Sequence, residues 1–363
     1  MQTDTLIVGG GLSGLVLAAK LQKAGQSFLV FEAAERLGGR ILTKDVGDAG
    51  FDYGPAWFWP GQPRLARYID SKDLGYFGQF SKGAIKYEEP DGKVLENCGF
   101  SSMQGSYRVN DGSGALIKAH EKDIDEKAIF LSHRVHKLTK TGDHIITQVN
   151  SPEGQKEIVA RQVVLALPPR VAEYTIAFEP ALPDNAARAM KNIPTWMAGQ
   201  AKIVAIYDKA HWRDKGLSGD AMSRRGPMVE IHDASPAQGG PYALFGFVGF
   251  SARDRAQLGD DILKMAKDQL VNLFGPEMAN PLSLEIKDWA QDDKVATPLD
   301  ADGPGYHPAY GLPKDLRSLW DGDLILGSTE TAPQFGGFLE GAMEAADQAF
   351  TKIKQDALTQ IAV

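Results

Sequence analysis

The apolar run Leu6-Ile7-Val8 sets the first pattern in the chain, uninterrupted as in a strand buried on both faces. Glycines follow at 9, 11 and 14, and Leu15, Ala18, Ala19 and Leu21 then recur at helical spacing until Gly25. A second apolar run, Phe28 to Phe31, ends in Glu32. Strand, glycine turn, helix, strand and acid in this order predict a unit that binds a dinucleotide. Glycines at this spacing allow a tight turn and the close approach of a pyrophosphate. The helix N-terminus at Leu12 and Ser13 attracts that anion, and Glu32 can accept ribose hydroxyls. The glycines alone would be a weak signal; the ordered set of elements carries the inference.

Further along, helical periodicity predicts helices over 64–76, 115–122, 184–190 and 259–274. Strands are expected over 128–131, 134–139, 144–149 and 156–161, with a separate apolar strand from Gln162 to the prolines at 168 and 169. Alternation marks 201–207, 227–232 and 242–248, while Leu284 to Trp289 reads as a return toward the cofactor. A last apolar strand begins at Leu324, and Gly336-Gly337 opens a helix to about 355 whose Ala342, Ala345, Ala346 and Ala349 form a smooth face. The expected class is α/β, a Rossmann-like nucleotide domain with a second, mixed α+β substrate domain. The first would be discontinuous (1–77, 109–170 and 283–363) and the second would hold 78–108 and 171–282.

Composition narrows the functional classes. The 363 residues suffice for two domains, and 43% hydrophobic with 24% charged content is ordinary for a globular enzyme. A net charge of -8 argues against nucleic acid or an anionic membrane as partner. Seven scattered histidines show no metal-ligand spacing, and Cys98, the only cysteine, fits a reducing compartment. Neither a signal peptide nor a membrane-length apolar stretch is visible, so a cytoplasmic protein is expected, with a homodimer possible.

Candidate chemistry lies in three places. The loop after Glu32, from Ala33 to Ile41, turns at Gly38-Gly39 and carries Arg36 and Arg40 within reach of phosphate or ring oxygens. The segment Gly50 to Pro60, rich in aromatics and prolines, is either core or the wall of a ring-binding pocket. The second glycine-led helix offers backbone N–H groups to another part of the same ligand. A nicotinamide has little use for them, whereas the pyrimidine end of a flavin gains negative charge on reduction. That favours FAD.

These stretches together resemble the flavin-containing amine oxidase family of monoamine, polyamine and L-amino-acid oxidases. The likeness rests on the N-terminal glycine block with Glu32, Leu-Gly-Gly-Arg at 37–40 and Phe-Asp-Tyr-Gly at 51–54. It is completed by Gly-Ser-Thr-Glu-Thr-Ala from 327 and Gly-Phe-Leu-Glu-Gly-Ala to 342. The resemblance implies a two-domain FAD fold that oxidises a small-molecule amine to an imine, with reoxidation by O2 to hydrogen peroxide. It places Glu32 on the ribose, Arg40 beside flavin and phosphates, and the Val135 backbone at the adenine. Glu330 would sit near the phosphate and ribityl chain, with Gly337, Phe338 and Leu339 at the pyrimidine. Lys202 matches the family lysine that holds a water against flavin N5. Read from its own strand, it is either a functional buried lysine or a snorkelling edge-strand one.

The chain departs from the family in three respects. No cysteine follows Trp289, so FAD is expected to be noncovalent. Phe338 stands where one of two substrate-clamping tyrosines would be, and the other is lost within 296–310. The chain is short, mainly in the lid, which suggests a simpler or more open pocket. Trp57, Trp59, Trp289 and Phe338 are the expected walls, with Lys202, Phe338 and Trp289 closest to the chemistry. An α-carboxylate would need an arginine, for which Arg64, Arg224 and Arg225 are candidates. The alternative activity is carbon–carbon oxidation of the desaturase or porphyrinogen-oxidase type.

Overall fold

The computed structural model describes residues 1–97, 99–301 and 307–361; Cys98 and part of the 296–310 loop lie outside them. Parallel strands form the centre of the first sheet, in the order Ile129–Phe130, Phe28–Phe31, Gln2–Val8, Gly154–Leu165 and Leu324–Leu326. The helix Leu12–Lys23 connects the strands Gln2–Val8 and Phe28–Phe31, as the apolar periods require. Its Leu15, Leu17 and Leu21 are buried together with Met343, Ala346 and Ala349 of the last helix, Leu339–Ile361. Full burial of each large side chain contributes about 1.5–3 kcal/mol, so the two ends of the chain are held together by this packing.

Two expectations change. The strands expected at 156–161 and from Gln162 to the prolines are one, Gly154–Leu165, which ends before Ala166. Its first half pairs antiparallel with His144–Ser151, and its second half lies parallel to Leu324–Leu326. At the join, Gln162 is buried and donates to Thr5 Oγ1 at 2.9 Å across the sheet. A satisfied polar side chain need not end a strand.

Sheet membership also shifts the expected domain division at its last two crossings. Ala177–Glu179 pairs with Arg134–Thr141, and buried Ala172, Ile176, Ala186 and Met190 pack with the first sheet. The chain therefore leaves that sheet's core after 192 rather than at 171. On the return, Ser283–Asp288 is an edge strand of the second sheet, paired with Ala201–Tyr207, so the crossing comes after 288. Periodicity shows that a strand exists but does not say which sheet it joins.

The second sheet runs Ser283–Asp288, Ala201–Tyr207, Tyr242–Val248, Met228–Asp233, Leu217–Ser223, Ala84–Glu88, Val94–Glu96. Strict alternation divides its second strand. Ala201, Ile203, Ala205 and Tyr207 face a core shared with the helix Asp261–Phe274, while Val204 and Ile206 pack against Phe51 and Tyr53. The period of two puts Lys202 on the latter face, toward the first domain. The hairpin Thr43–Val46/Ala49–Asp52, which carries Phe51, was not evident from periodicity.

Candidate active site

The glycine turn is built by close contact. A Cβ at Gly14 would lie 2.0 Å from Gly9 O, so only glycine lets the helix sit on the turn. At Gly11 the nearest atoms to such a Cβ are 3.9 Å away. That glycine therefore leaves space for something other than protein. The helix it opens has no side-chain cap and no acid in its first turn, which leaves its positive end for an anion. Gly10, outside the motif spacing, is less tightly constrained, since a Cβ there would be 2.6 Å from the movable Leu37 Cδ2. Its N–H donates to Glu32 Oε2 at 2.7 Å, and the Ala34 N–H donates to Oε1 at the same distance. Burial raises the Glu32 pKa, an effect these two donors and Arg36 oppose.

A cavity of about 400 Å³ extends from this turn. Gly9, Gly11, Leu12, Ser13, Glu32, Arg36, Gly38, Gly39 and Arg40 line one stretch of it, and Lys202, Trp289, Gly337, Phe338 and Leu339 another. Ala33 and Val135 line a smaller cavity that shares Gly9 and Glu32 with the first. Gly14 works through packing. Ser13 Oγ donates to Gly327 O, tying the turn to the C-terminal strand. Arg36 is occupied with its own loop, donating to Leu37 O, Ile41 O and Gly39 O. Arg40 donates to Glu330 Oε1 at 2.6 Å and to Trp196 O at 3.2 Å.

Glu330 is 1% exposed and its Oε2 has no partner; neither has the buried Ser328 Oγ. Orphaned buried oxygens in the turn that returns to the cavity suit the hydroxyls of a ribityl chain. With the open face of Gly11 and the adjoining cavities, they make the residues fit FAD. The pyrimidine-end donors are fewer than expected. The Gly337 N–H is bonded to Thr329 O and that of Phe338 to Phe335 O, leaving the Leu339 N–H.

Lys202 is 3% exposed and its strand is flanked on both sides, which removes the snorkelling alternative. Its Nζ donates to Gly54 O at 3.1 Å and lies 3.7 Å from the Phe245 ring centroid. Burial lowers its pKa to about 7, with Asp52 opposing and Arg108 adding to the shift. Trp57, Trp59, Trp289, Phe247 and Phe338 line the same cavity, so the aromatic segment 50–60 does supply walls. Trp59 meets Phe338 edge to face at 6.0 Å. The other face-sharing ring is His307, 5.3 Å from Phe338 and tilted on Trp196 at 4.5 Å. No apolar pattern pointed to His307 or Trp196. None of Arg64, Arg224 and Arg225 lines the cavity. Arg64 is bonded to Glu340 and Asp347, and the other two are exposed.

A Rossmann-like nucleotide fold, a second mixed domain and one cavity between a dinucleotide turn and a buried lysine define a flavin-dependent oxidoreductase. The sequence profile for flavin containing amine oxidoreductases matches residues 70–351, and that for NAD(P)-binding Rossmann-like domains matches 7–71. The chain belongs to the flavin containing amine oxidoreductase family. It is 22% identical to a probable flavin-containing monoamine oxidase A of Dictyostelium discoideum, covering 98% of each chain. Its fold is similar to a cyclohexylamine oxidase from Brevibacterium oxydans IH-35A (TM-score 0.80, 20% identity, 98% and 99% coverage). It is likewise similar to a putrescine oxidase solved with putrescine bound (TM-score 0.79, 18% identity, the same coverage). Among the described residues no helix is long and apolar enough to cross a membrane.

Proposed function

We propose that the chain oxidises an amine without an α-carboxylate to its imine, with oxygen as final acceptor and hydrogen peroxide as product. FAD, when bound, supplies the two-electron acceptor. A noncovalent cofactor accords with the absence of cysteine after Trp289. The observation that carries the reading is Lys202, a buried amine in a cavity walled by Trp57, Trp59, Trp289 and Phe338. With a pKa near 7, its Nζ can hold or release a proton at neutral pH, or fix a water. The aromatic faces attract a cationic amine and then exclude water from the neutral form that reacts.

An amine is favoured over an amino acid by the arginines. Arg36 and Arg40 are bonded to loop carbonyls and to Glu330, and the other candidates lie away from the cavity. Anaerobic mixing of the yellow protein with primary amines, secondary amines, amino acids and polyenes tests this. Bleaching by amines alone is the expected result; bleaching by polyenes alone, or by no amine, sinks it.

A further inference from the structure

The segment that follows Trp289 belongs to neither glycine turn, yet it borders both cavities. Asp292, Lys294 and Val295 line the larger, and Asp293 and Lys294 the smaller. Anchors hold it at both ends. Trp289 Nε1 donates to Tyr53 O at 3.1 Å, and Lys287 Nζ donates to Asp292 Oδ2 at 2.9 Å. At the far end Asp300 accepts from Thr297 N and Oγ1 and pairs with buried Arg170 at 2.6 Å. Between these anchors, Arg134 Nη2 donates to Asp293 Oδ2 at 2.7 Å. Arg134 precedes Val135 and lines the smaller cavity with it.

We propose that Asp292–Val295 is a strap across the adenosine diphosphate half of the bound flavin nucleotide, latched by Arg134–Asp293, and that this latch limits the release of FAD. The inference rests on the flavin reading of the two cavities. Gly9, Glu32, Leu167 and Lys294 line both, so a dinucleotide running from one to the other passes beside Lys294. The apolar end of the strap, Val295, is buried with the adjoining Ala296 and with Trp289 and Ala198. Its polar side forms the latch, where Asp293 holds Arg134 through one oxygen and Lys294 Nζ, at 2.9 Å, through the other. Opening the latch frees the strap, and Lys294, which Asp293 holds where the two cavities meet, is then no longer fixed beside the diphosphate.

The test uses the holoenzyme without amine, so its outcome is separate from that of the amine-oxidation reading. FAD release is followed by the rise in flavin fluorescence after dilution, at low and high salt. Arg134→Glu places like charges at the latch. It is expected to speed release about three- to tenfold, as for a part-exposed pair, with the difference shrinking in about 1 M salt. Arg134→Glu/Asp293→Arg restores the pair and should return release to within about twofold of the parent. Unchanged release in the single variant overturns the proposal, as does a double variant that releases as fast as the single one. Asp293→Asn, which keeps size and removes charge, should also release faster; parent-like release there overturns it too.

Discussion

Arg40 and Glu330 are joined by a 2.6 Å ion pair across 290 positions of sequence, linking the loop after the second strand to the turn after the last. The carboxylate is fully buried, whereas the guanidinium side chain is 23% exposed. Removing one partner of a buried pair leaves an uncompensated charge. Glu330→Ala should therefore destabilise the apoprotein by about 2 kcal/mol or more and weaken FAD binding, read by urea unfolding and FAD titration. Arg40→Lys should lose part of both, since the shorter, compact ammonium does not reproduce the reach of Nη1, which makes both bonds. Parent-like values for both variants would show that the pair is incidental.

Two glycines three positions apart should behave in opposite ways. Gly14→Ala drives a Cβ to 2.0 Å from Gly9 O, and the backbone there cannot yield. We expect a loss of more than about 3 kcal/mol, or no folded protein. Gly11→Ala meets open space, so apoprotein stability should stay within about 1 kcal/mol of the parent while FAD affinity falls. If both variants lose stability equally, the space beside Gly11 is not a ligand's.

Lys202 is neutral in the fold at pH values where an unfolded lysine is charged. Its folded pKa, about 7, lies below the ordinary value of 10.5. The unfolded chain thus binds more protons between those values, and stability should rise with pH from about 7 to 10.5. Lys202→Met removes the penalty and should stabilise the protein at pH 6 by roughly 2 kcal/mol, after loss of the bond to Gly54 O. The same variant should lose an inflection near pH 7 in amine-dependent reduction or in reoxidation. A variant less stable than the parent at pH 6, with an unchanged rate profile, would contradict both expectations.

His120 provides a second titration. It is stacked on Tyr68 at 3.9 Å, both its ring nitrogens are unpartnered, and burial lowers its pKa to about 4. A depressed histidine makes stability fall as pH drops from about 6.5 to 4. His120→Phe keeps the stacked ring and removes the proton. Its melting temperature should fall less over that interval than the parent's, and an identical pH slope would exclude His120 as the source.

Sequence legibility followed whether an interaction was local. The glycine turn, Glu32 and the helix Leu12–Lys23 were readable because their geometry is set within a few residues. Lys202 stands out in sequence because a charge interrupts an otherwise apolar alternation, although the side of the sheet it faces is visible only in the fold. Gly10 was missed because its constraint comes from Leu37 and Glu32, neither of which is adjacent. Trp196 and His307 were missed for a similar reason, since rings that meet from distant loops leave no period. The edge strand Ser283–Asp288 was assigned to the wrong sheet because strand pairing is a tertiary choice. Arg64 offers a charge for a carboxylate, but Glu340 and Asp347 of the last helix bind it away from the cavity.

The strand Leu324–Leu326 and the helix Leu339–Ile361 complete a sheet whose first strand is Gln2–Val8. During synthesis the dinucleotide turn therefore emerges from the ribosome long before Gly327, Glu330 and Leu339 exist to meet it. A nascent chain that has passed residue 200 still lacks a wall of its nucleotide site and leaves Leu15, Leu17 and Leu21 without their final partners. Such domains fold as units, so a truncated product has no nucleotide site to fill. The nucleotide site is complete only once Leu339 and the helix it opens have been made, so the last element of the chain to appear closes the site that the first one begins.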